Sequence, residues 1–307
     1  MPLMNPSRFG PLLLLAVGLT LGLAFGLGDH RAEAQVGTRT IAVSGIASVE
    51  GQPVLVHILA VVGPNEQAGD VAAAVLAQQG ARPLTSSEYS LTGSVDWNDD
   101  PGLGPGIQAV FNYNPANEPT GGQEAFLYSL GTWTYPISSF AVSKSPGTTN
   151  RPPSLVRETP GPQTFDGEND VAWMNLKGRN TLAVTWSGTS NGSPEADITM
   201  NTDWDWYTPI DPGVYDSETV LLHELGHGIG IGHSQVPGTV MAPVYGGQLW
   251  ILQQDDLDAL YGGGPPPLSP LPRSADSRPA PTACPTPRTS RFSHGRPTEN
   301  RSTSQGA

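Results

Sequence analysis

The sequence of 307 residues has a single cysteine, Cys284, so no disulfide bond can form within the chain. Its stability must therefore come from a hydrophobic core and from any bound metal. Basic residues are also scarce: 15 lysines and arginines stand against 28 aspartates and glutamates, giving a net charge of −13 at pH 7. This imbalance argues against nucleic acid or an anionic membrane surface as a partner. It permits calcium sites, although we expect most of the carboxylates to form a solvated acidic surface.

Apolar runs that approach the length of a membrane span are confined to the N-terminus. Arg8, the apolar stretch from Phe9 to Gly28 and the small-x-small sequence Ala32-Glu33-Ala34 predict a cleaved signal peptide over residues 1–34. An uncleaved membrane anchor is the alternative interpretation, because the apolar stretch is nearly long enough to span. Cleavage predicts a secreted, extracellular protein with no stable membrane insertion.

The C-terminal residues 263–307 have few apolar side chains and are rich in Pro, Ser, Thr and Arg. Such a segment cannot bury enough surface to offset its ordering entropy, which predicts a disordered tail. Its basic character could give weak contact with anionic wall material, but a plain linker end is the favoured interpretation.

Residues 35–95 predict a small α/β segment. β-branched residues cluster over residues 40–62, as in strands, and Val71, Val75 and Leu76 then share one helical stripe that ends near Gly80. The segment carries no catalytic pattern. His57 lies in its apolar strand, where we expect a packed core residue rather than a metal ligand.

A turn-rich sequence, Asp99–Gly106, marks the boundary of a second predicted domain over residues 96–262. Ala109, Phe111 and Tyr113 alternate as in a strand, a helical pattern follows as far as Trp133, and several more strands precede a cluster of histidines. This order of elements predicts a mixed α/β (α+β) domain.

The histidine cluster reads HELGHGIGIGH, from His223 to His233. Asp216 or Ser217 can cap a helix before it, and on that helix His223 and His227 project from one face and can share one Zn²⁺. Glu224 lies one residue round the helix, where a general base for a metal-activated water would stand. Gly230 can take a positive φ, end the helix and return the chain so that His233 becomes the third ligand.

Three protein ligands leave a fourth position for water, as in catalytic rather than structural zinc sites. The five fixed positions of the long pattern make coincidence improbable, at about one in ten thousand for a chain of this length. A structural zinc helix and a degenerate site that has lost activity are the alternatives. Glu224 argues against both, because a structural helix has no need of a carboxylate there.

At these residues the chain resembles the metzincin zinc endopeptidases, whose histidine motif is followed by a methionine turn, here at Met241. Within that group it resembles the matrixins. Ser234 follows the third histidine, and Pro243 and Tyr245 match the segment that lines the substrate pocket. The resemblance implies a twisted mixed sheet, an active-site helix and a C-terminal helix within residues 252–262, which includes Asp255 and Asp256.

The same resemblance makes Thr181–Gly188 the edge strand on which a substrate lies antiparallel. It covers about residues 97–262 and is strongest from Tyr215 onward.

Two departures from the matrixin pattern affect cofactors and latency. The only histidines before His223 are His30 and His57, so we expect one catalytic zinc and no second, structural zinc. No cysteine lies between Gln35 and His223, so residues 35–95 cannot block the zinc through a thiolate. They are a folding aid, a propeptide that acts by steric cover, or an accessory module. Ca²⁺ binding is permitted by four acidic residues without a decisive loop pattern: Asp166, Glu168, Asp197 and Asp203.

The sequence therefore predicts a secreted, monomeric, zinc-dependent endopeptidase that acts on protein or peptide substrates. A non-catalytic secreted binding protein with the same fold is the rival hypothesis, and the retained Glu224 favours the enzyme. The spacing of residues does not indicate which peptides are cleaved.

Overall fold

The computed structural model describes residues 37–84, 108–134, 141–145, 147–178, 180–209 and 213–260. The signal peptide predicted for residues 1–34, the boundary at Asp99–Gly106 and the tail predicted for residues 263–307 lie outside this part of the chain. Among the helices of the described ranges, none has the length and apolar character needed to cross a membrane.

The described ranges contain ten strands and four helices. The strands are β1 (Arg39–Val49), β2 (Gln52–Val62), β3 (Arg82–Pro83), β4 (Gln108–Tyr113), β5 (Ala141–Lys144), β6 (Asn169–Met174), β7 (Thr181–Ser190), β8 (Ser193–Asn201), β9 (Trp206–Tyr207) and β10 (Tyr215–Asp216). The helices are α1 (Ala68–Gln78), α2 (Gly122–Thr134), α3 (Ser217–Gly228) and α4 (Gln254–Leu260).

Eight of these strands form one mixed sheet in the order β3-β1-β2-β7-β8-β6-β4-β5. The strands from β8 to β5 run parallel to one another, whereas β1, β2, β3 and β7 pair antiparallel with their neighbours. β9 and β10 form a separate parallel pair. The mixed α/β prediction is confirmed.

The N-terminal strands join this sheet, although the sequence suggested a separate small segment. β1 and β2 form a hairpin that turns at Glu50 and Gly51, both at positive φ. β2 then pairs antiparallel with β7 from Val54 opposite Gly188 to Ala60 opposite Thr181. β7 was expected at the sheet edge, where its backbone groups would lack partners. Instead, strand β2 of the hairpin pairs with these backbone groups of β7.

The alternation of side chains along β2 divides the interior into two cores. Val54, Val56 and Ile58 face one side, where they pack with α1 and with Trp186 of β7. Leu59 and Val61 face the opposite side and pack into a larger core with residues of α2 and α3. His57 has the same parity as Leu59, so it points toward α3.

Acidic side chains tie the segment before β6 to strand β8. Asp197 is fully buried and accepts hydrogen bonds from the Leu155 and Asp170 amides at 2.8 and 2.9 Å. Glu195 accepts hydrogen bonds from the Ser154 hydroxyl at 3.1 Å and from the Gly167 amide.

Three further carboxylates of this region surround one guanidinium, that of Arg151. The Asp170 carboxylate accepts a hydrogen bond from Nε of Arg151 at 2.8 Å. A Glu168 oxygen lies 3.3 Å from Nη2, and an Asp166 oxygen lies 3.7 Å from Nε. Asp203, the remaining residue considered for calcium, accepts a hydrogen bond from the Asn175 side chain. Calcium binding by Asp166, Glu168, Asp197 or Asp203 stays a prediction.

We expect Glu195 to make the protein less stable as the pH rises from about 4.5 to 7. Burial raises the pKa of Glu195 from 4.5 to about 7, so over this range the folded state holds a proton that the unfolded state has released. Stability is therefore fully present below the unfolded pKa and is lost as the pH rises through the folded one. The loss is on the order of 1–3 kcal/mol. Denaturant unfolding at pH 4.5, 6 and 8 measures it.

Glu195→Gln should flatten this part of the pH dependence, because the amide does not ionise. Glu124→Gln, at an exposed position on α2, is the matched control and should keep the parent profile. An unchanged slope in Glu195→Gln would show that another group is responsible.

Candidate metal centre

Helix α3 carries the first two predicted ligands and is fixed at its N-terminus by Asp216. The Asp216 carboxylate accepts hydrogen bonds from the Thr219 amide at 2.7 Å and from the Trp250 indole at 2.9 Å. Each of the 12 residues of α3 is buried. The predicted N-cap is confirmed, and the helix therefore presents His223, Glu224 and His227 inside the protein rather than to solvent.

The predicted turn at Gly230 is also confirmed. Gly230 has a φ of +92°, which glycine adopts without the steric cost of a side chain. The Ile231 amide reaches back to the Gly226 carbonyl and the Gly230 amide to that of His227, both at 2.9 Å. This pair of bonds is a Schellman motif, and it turns the chain so that His233 returns to the helix.

The three predicted ligands come together through their Nε2 atoms. His227 Nε2 lies 3.0 Å from Nε2 of His223 and 3.0 Å from Nε2 of His233. Two nitrogens bound to one tetrahedral zinc at about 2.0–2.1 Å stand about 3.3–3.4 Å apart, so each of these two pairs is close to the spacing of ligands on one ion.

The other ring nitrogens fix the tautomers of the two helical histidines. His223 Nδ1 contacts the Val240 carbonyl at 2.7 Å, and His227 Nδ1 contacts the Ile231 carbonyl at 2.8 Å. A carbonyl can only accept, so Nδ1 carries the proton in both rings and Nε2 offers its lone pair. Burial lowers the pKa of His223, His227 and His233 below 6.5, which favours the neutral imidazole that metals bind.

Glu224 follows His223 on α3, and only one of its two carboxylate oxygens has a hydrogen-bond partner in the protein. It is fully buried, and its Oε2 accepts a hydrogen bond from the Thr185 hydroxyl of β7. Its Oε1 is buried and has no protein partner. Burial raises the pKa of Glu224 to about 8, and the bond from Thr185 acts in the opposite direction. Such a carboxyl group can take up and release a proton near neutral pH.

Met241 lies under α3, where the sequence placed the methionine turn. A Cβ atom at Gly226 would overlap the Met241 sulfur, so the glycine allows this close packing. The turn is held by Asp256 of α4, whose carboxylate accepts hydrogen bonds from the Val240 and Met241 amides, both at 3.0 Å. Asp255 accepts a hydrogen bond from Ser234. The paired aspartates thus anchor both segments that flank the cluster.

A cavity of about 140 Å³ opens next to His223. Tyr245, which the sequence analysis predicts for the substrate pocket, lines this cavity with Val220, Val240 and Ala242. Pro243, predicted for the same role, is not among the lining residues, and its carbonyl accepts a hydrogen bond from the Ala42 amide of β1.

A fourth imidazole, which the sequence analysis assigned to the core, stands at the cluster. His57 is 2% exposed and its ring stacks on that of His227, with centroids 3.9 Å apart. Nitrogens of His57, His227 and His233 lie within 4.8 Å of one another, the one such group of potential metal ligands among the described residues. This group holds His57 in place of the predicted ligand His223, whose Nε2 lies 3.0 Å from that of His227. Ser44 of β1 contacts Nδ1 of His57 at 2.9 Å and Nδ1 of His233 at 3.3 Å. The parity of His57 along β2 indicates its face, but only the pairing of β2 with β7 places it here.

Comparisons with known proteins include a family match over this part of the chain. The family model for matrixin, a peptidase family, matches residues 161–262. Metalloendoproteinase 5-MMP of Arabidopsis thaliana is 44% identical over 57 residues, 17% of this chain and 16% of that protein. Human matrix metalloproteinase-25 is 41% identical over 58 residues, 16% of this chain and 10% of that protein. Macrophage metalloelastase of Oryctolagus cuniculus is 41% identical over 71 residues, 21% of this chain and 15% of that protein.

These matches are confined to a minor part of each relative's length, and the family model spans the strands from β6 to β10 together with α3 and α4. They support the fold and the family of this region. Residues 161–262 of the chain are therefore similar to the matrixin peptidases.

Proposed function

We propose that this protein is a secreted, monomeric, zinc-dependent endopeptidase. One observation carries the proposal: His227 Nε2 lies 3.0 Å from the Nε2 atoms of both His223 and His233, and the buried Glu224, next to His223 on the helix, has an unpartnered oxygen. A metal-activated water next to that oxygen would supply the missing partner. The donor set of three neutral histidines is the one typical of catalytic zinc.

His223, His227 and His233 would hold the ion. When bound, Zn²⁺ supplies Lewis-acid chemistry, because it polarises the scissile carbonyl and acidifies water. Glu224 takes the proton from the attacking water and delivers it to the leaving amine, so no covalent acyl-enzyme is needed. Thr185 holds the second oxygen of Glu224 and keeps the carboxylate oriented during both proton transfers.

The substrate class follows from β7 and the adjacent cavity. An extended peptide that pairs with β7 would lie directly beside Glu224, because Thr185 of that strand touches it. The cavity beside His223 is lined by Val220, Val240 and Ala242 and suits an apolar side chain of moderate size. The names of the relatives, a metalloendoproteinase and a metalloelastase among them, agree with protein or peptide substrates.

The rival hypothesis is a secreted binding protein that keeps the fold without catalysis. Such a protein would have no use for a buried carboxyl group with a free oxygen, whose burial is unfavourable. Glu224 therefore favours the enzyme.

A peptidase assay on the intact chain tests the proposal. Quenched-fluorescent peptides with leucine after the scissile bond, and gelatin, are incubated with the protein for long periods. We expect cleavage that a zinc chelator abolishes and added Zn²⁺ restores. Cleavage that persists in the chelator would contradict the proposed metal chemistry.

A further inference from the structure

Strand β2 occupies the position at which a peptide would add to β7. It pairs antiparallel with β7 along seven residue pairs, and His57 stands directly opposite Thr185. Thr185 is the residue that holds Glu224. An external peptide can therefore reach the carboxylate through β-sheet pairing only after β2 has left this edge.

The same hairpin also contacts the opposite wall of the site, around Pro243 and Tyr245. The Ala42 amide of β1 donates to the Pro243 carbonyl at 2.8 Å, and the Tyr245 amide donates to the Thr40 hydroxyl at 2.6 Å. The hairpin thus bridges β7 and the segment that lines the cavity, and it fills the groove between them.

Two side chains of β2 point from the groove into the site. His57 lies against His227 with its centroid 3.9 Å away. Leu59, two residues further along the same face, is 3% exposed and lines the cavity next to His223. One strand therefore places an imidazole at the metal ligands and an aliphatic side chain at the pocket, which are the two positions that a bound substrate would use.

We propose that the β1–β2 hairpin is a tethered occupant of the substrate groove and that His57 is an additional metal-binding residue, so that the intact chain cleaves peptides only slowly. His57 would help to hold the ion in place of water, and Leu59 takes the place of a substrate side chain. This inference rests on the proposed peptidase function. It gives the N-terminal segment an inhibitory role that needs no cysteine, since none lies between Gln35 and His223.

Release of the hairpin can start in the turn that follows β2. Pro64, Asn65, Glu66 and Gln67 are all exposed between β2 and α1, and exposed polar turns are preferred sites of proteolytic nicking. A cut there leaves the hairpin held by non-covalent contacts alone, so a substrate can compete for β7.

The metal-binding role of His57 is tested by zinc affinity, measured by competition with a chromophoric chelator. His57→Ala in the full chain should bind zinc at least about tenfold more weakly than the parent. Gln52→Ala, at an exposed position on the same strand, is the matched control. Equal affinity in His57→Ala and the parent overturns the ligand role.

The occupancy of the groove is tested by hydrogen exchange on the unmodified zinc-loaded chain, with a leucine-containing peptide hydroxamate as the probe. We expect the hydroxamate to speed exchange of the β2 amides while those of β8 stay protected. His57→Ala and Leu59→Ala should each bind the hydroxamate and turn over peptide at least about tenfold better than the parent, because the binding-competent fraction rises.

The outcomes separate this inference from the proposed function. A protein without stoichiometric zinc overturns the proposed function itself. A zinc-loaded protein whose β2 amides stay protected while the hydroxamate binds, or that binds no hydroxamate in any variant, overturns the tethered-occupant role of the hairpin. Leu59→Ala keeps all four histidines, so it tests the hairpin even where His57→Ala fails to fold.

Discussion

Replacing Glu224 by glutamine should lower kcat/KM for peptide cleavage by about 10²–10⁴-fold, the usual contribution of a general acid–base group. The amide fits the same buried space and can still meet the Thr185 hydroxyl, but it cannot accept a proton. The zinc content should equal that of the parent, because the three imidazoles are untouched. Initial rates on a fluorogenic peptide measure kcat/KM, and metal analysis of the same sample measures the zinc content.

Glu124→Gln makes the same chemical change at an exposed position on α2 and should leave the rate within about twofold of the parent. The expected loss at Glu224 corresponds to about 2.7–5.5 kcal/mol of transition-state stabilisation. If Glu224→Gln cleaved as fast as the parent, the base would have to be another group.

Replacing His227 by alanine should abolish both zinc binding and cleavage. His227 Nε2 lies 3.0 Å from the Nε2 atoms of both other ligands, so its removal takes away the centre of the donor set. The parent should also lose thermal stability when a chelator strips the metal, since a ligand at 100 times its dissociation constant stabilises by about 2.7 kcal/mol. In His227→Ala the chelator should have no effect on the melting temperature.

His294→Ala removes a histidine from the Pro-rich C-terminal segment and is the matched control. It should melt, bind zinc and cleave as the parent does. A His227→Ala protein that still melts at a lower temperature in chelator would show that the stabilising metal is bound elsewhere.

The local features of the site could be predicted from the sequence because they depend on short-range physics. The cap at Asp216 and the turn at Gly230 follow from preferences that act within one helical turn. Four-residue spacing places His223 and His227 on one face wherever the helix packs. These features agree with the structure for that reason.

The position of the N-terminal hairpin could not be predicted, because strand pairing between distant segments leaves no mark in local sequence. β2 and β7 are separated by more than a hundred residues, and both have the apolar, β-branched composition of buried strands. His57 was consequently interpreted as a core residue. Its burial agrees with that interpretation, but its neighbours, His227 and His233, do not.

The contacts of two further residues near the site, Thr185 and Asp256, could not be predicted from the sequence either. Thr185 holds Glu224 across the gap between β7 and α3, a contact that depends entirely on tertiary packing. Asp256 follows in the sequence only from the family resemblance, because its burial and its bonds to the Val240 and Met241 amides depend on how α4 packs against the methionine turn.

The most direct test of the account is the metal content of the folded protein, measured by inductively coupled plasma mass spectrometry after exhaustive dialysis. Convergence of His223, His227 and His233 on one ion predicts about one zinc per chain, and none in the His227→Ala protein. A folded protein that retains no transition metal under these conditions would contradict the account at its centre.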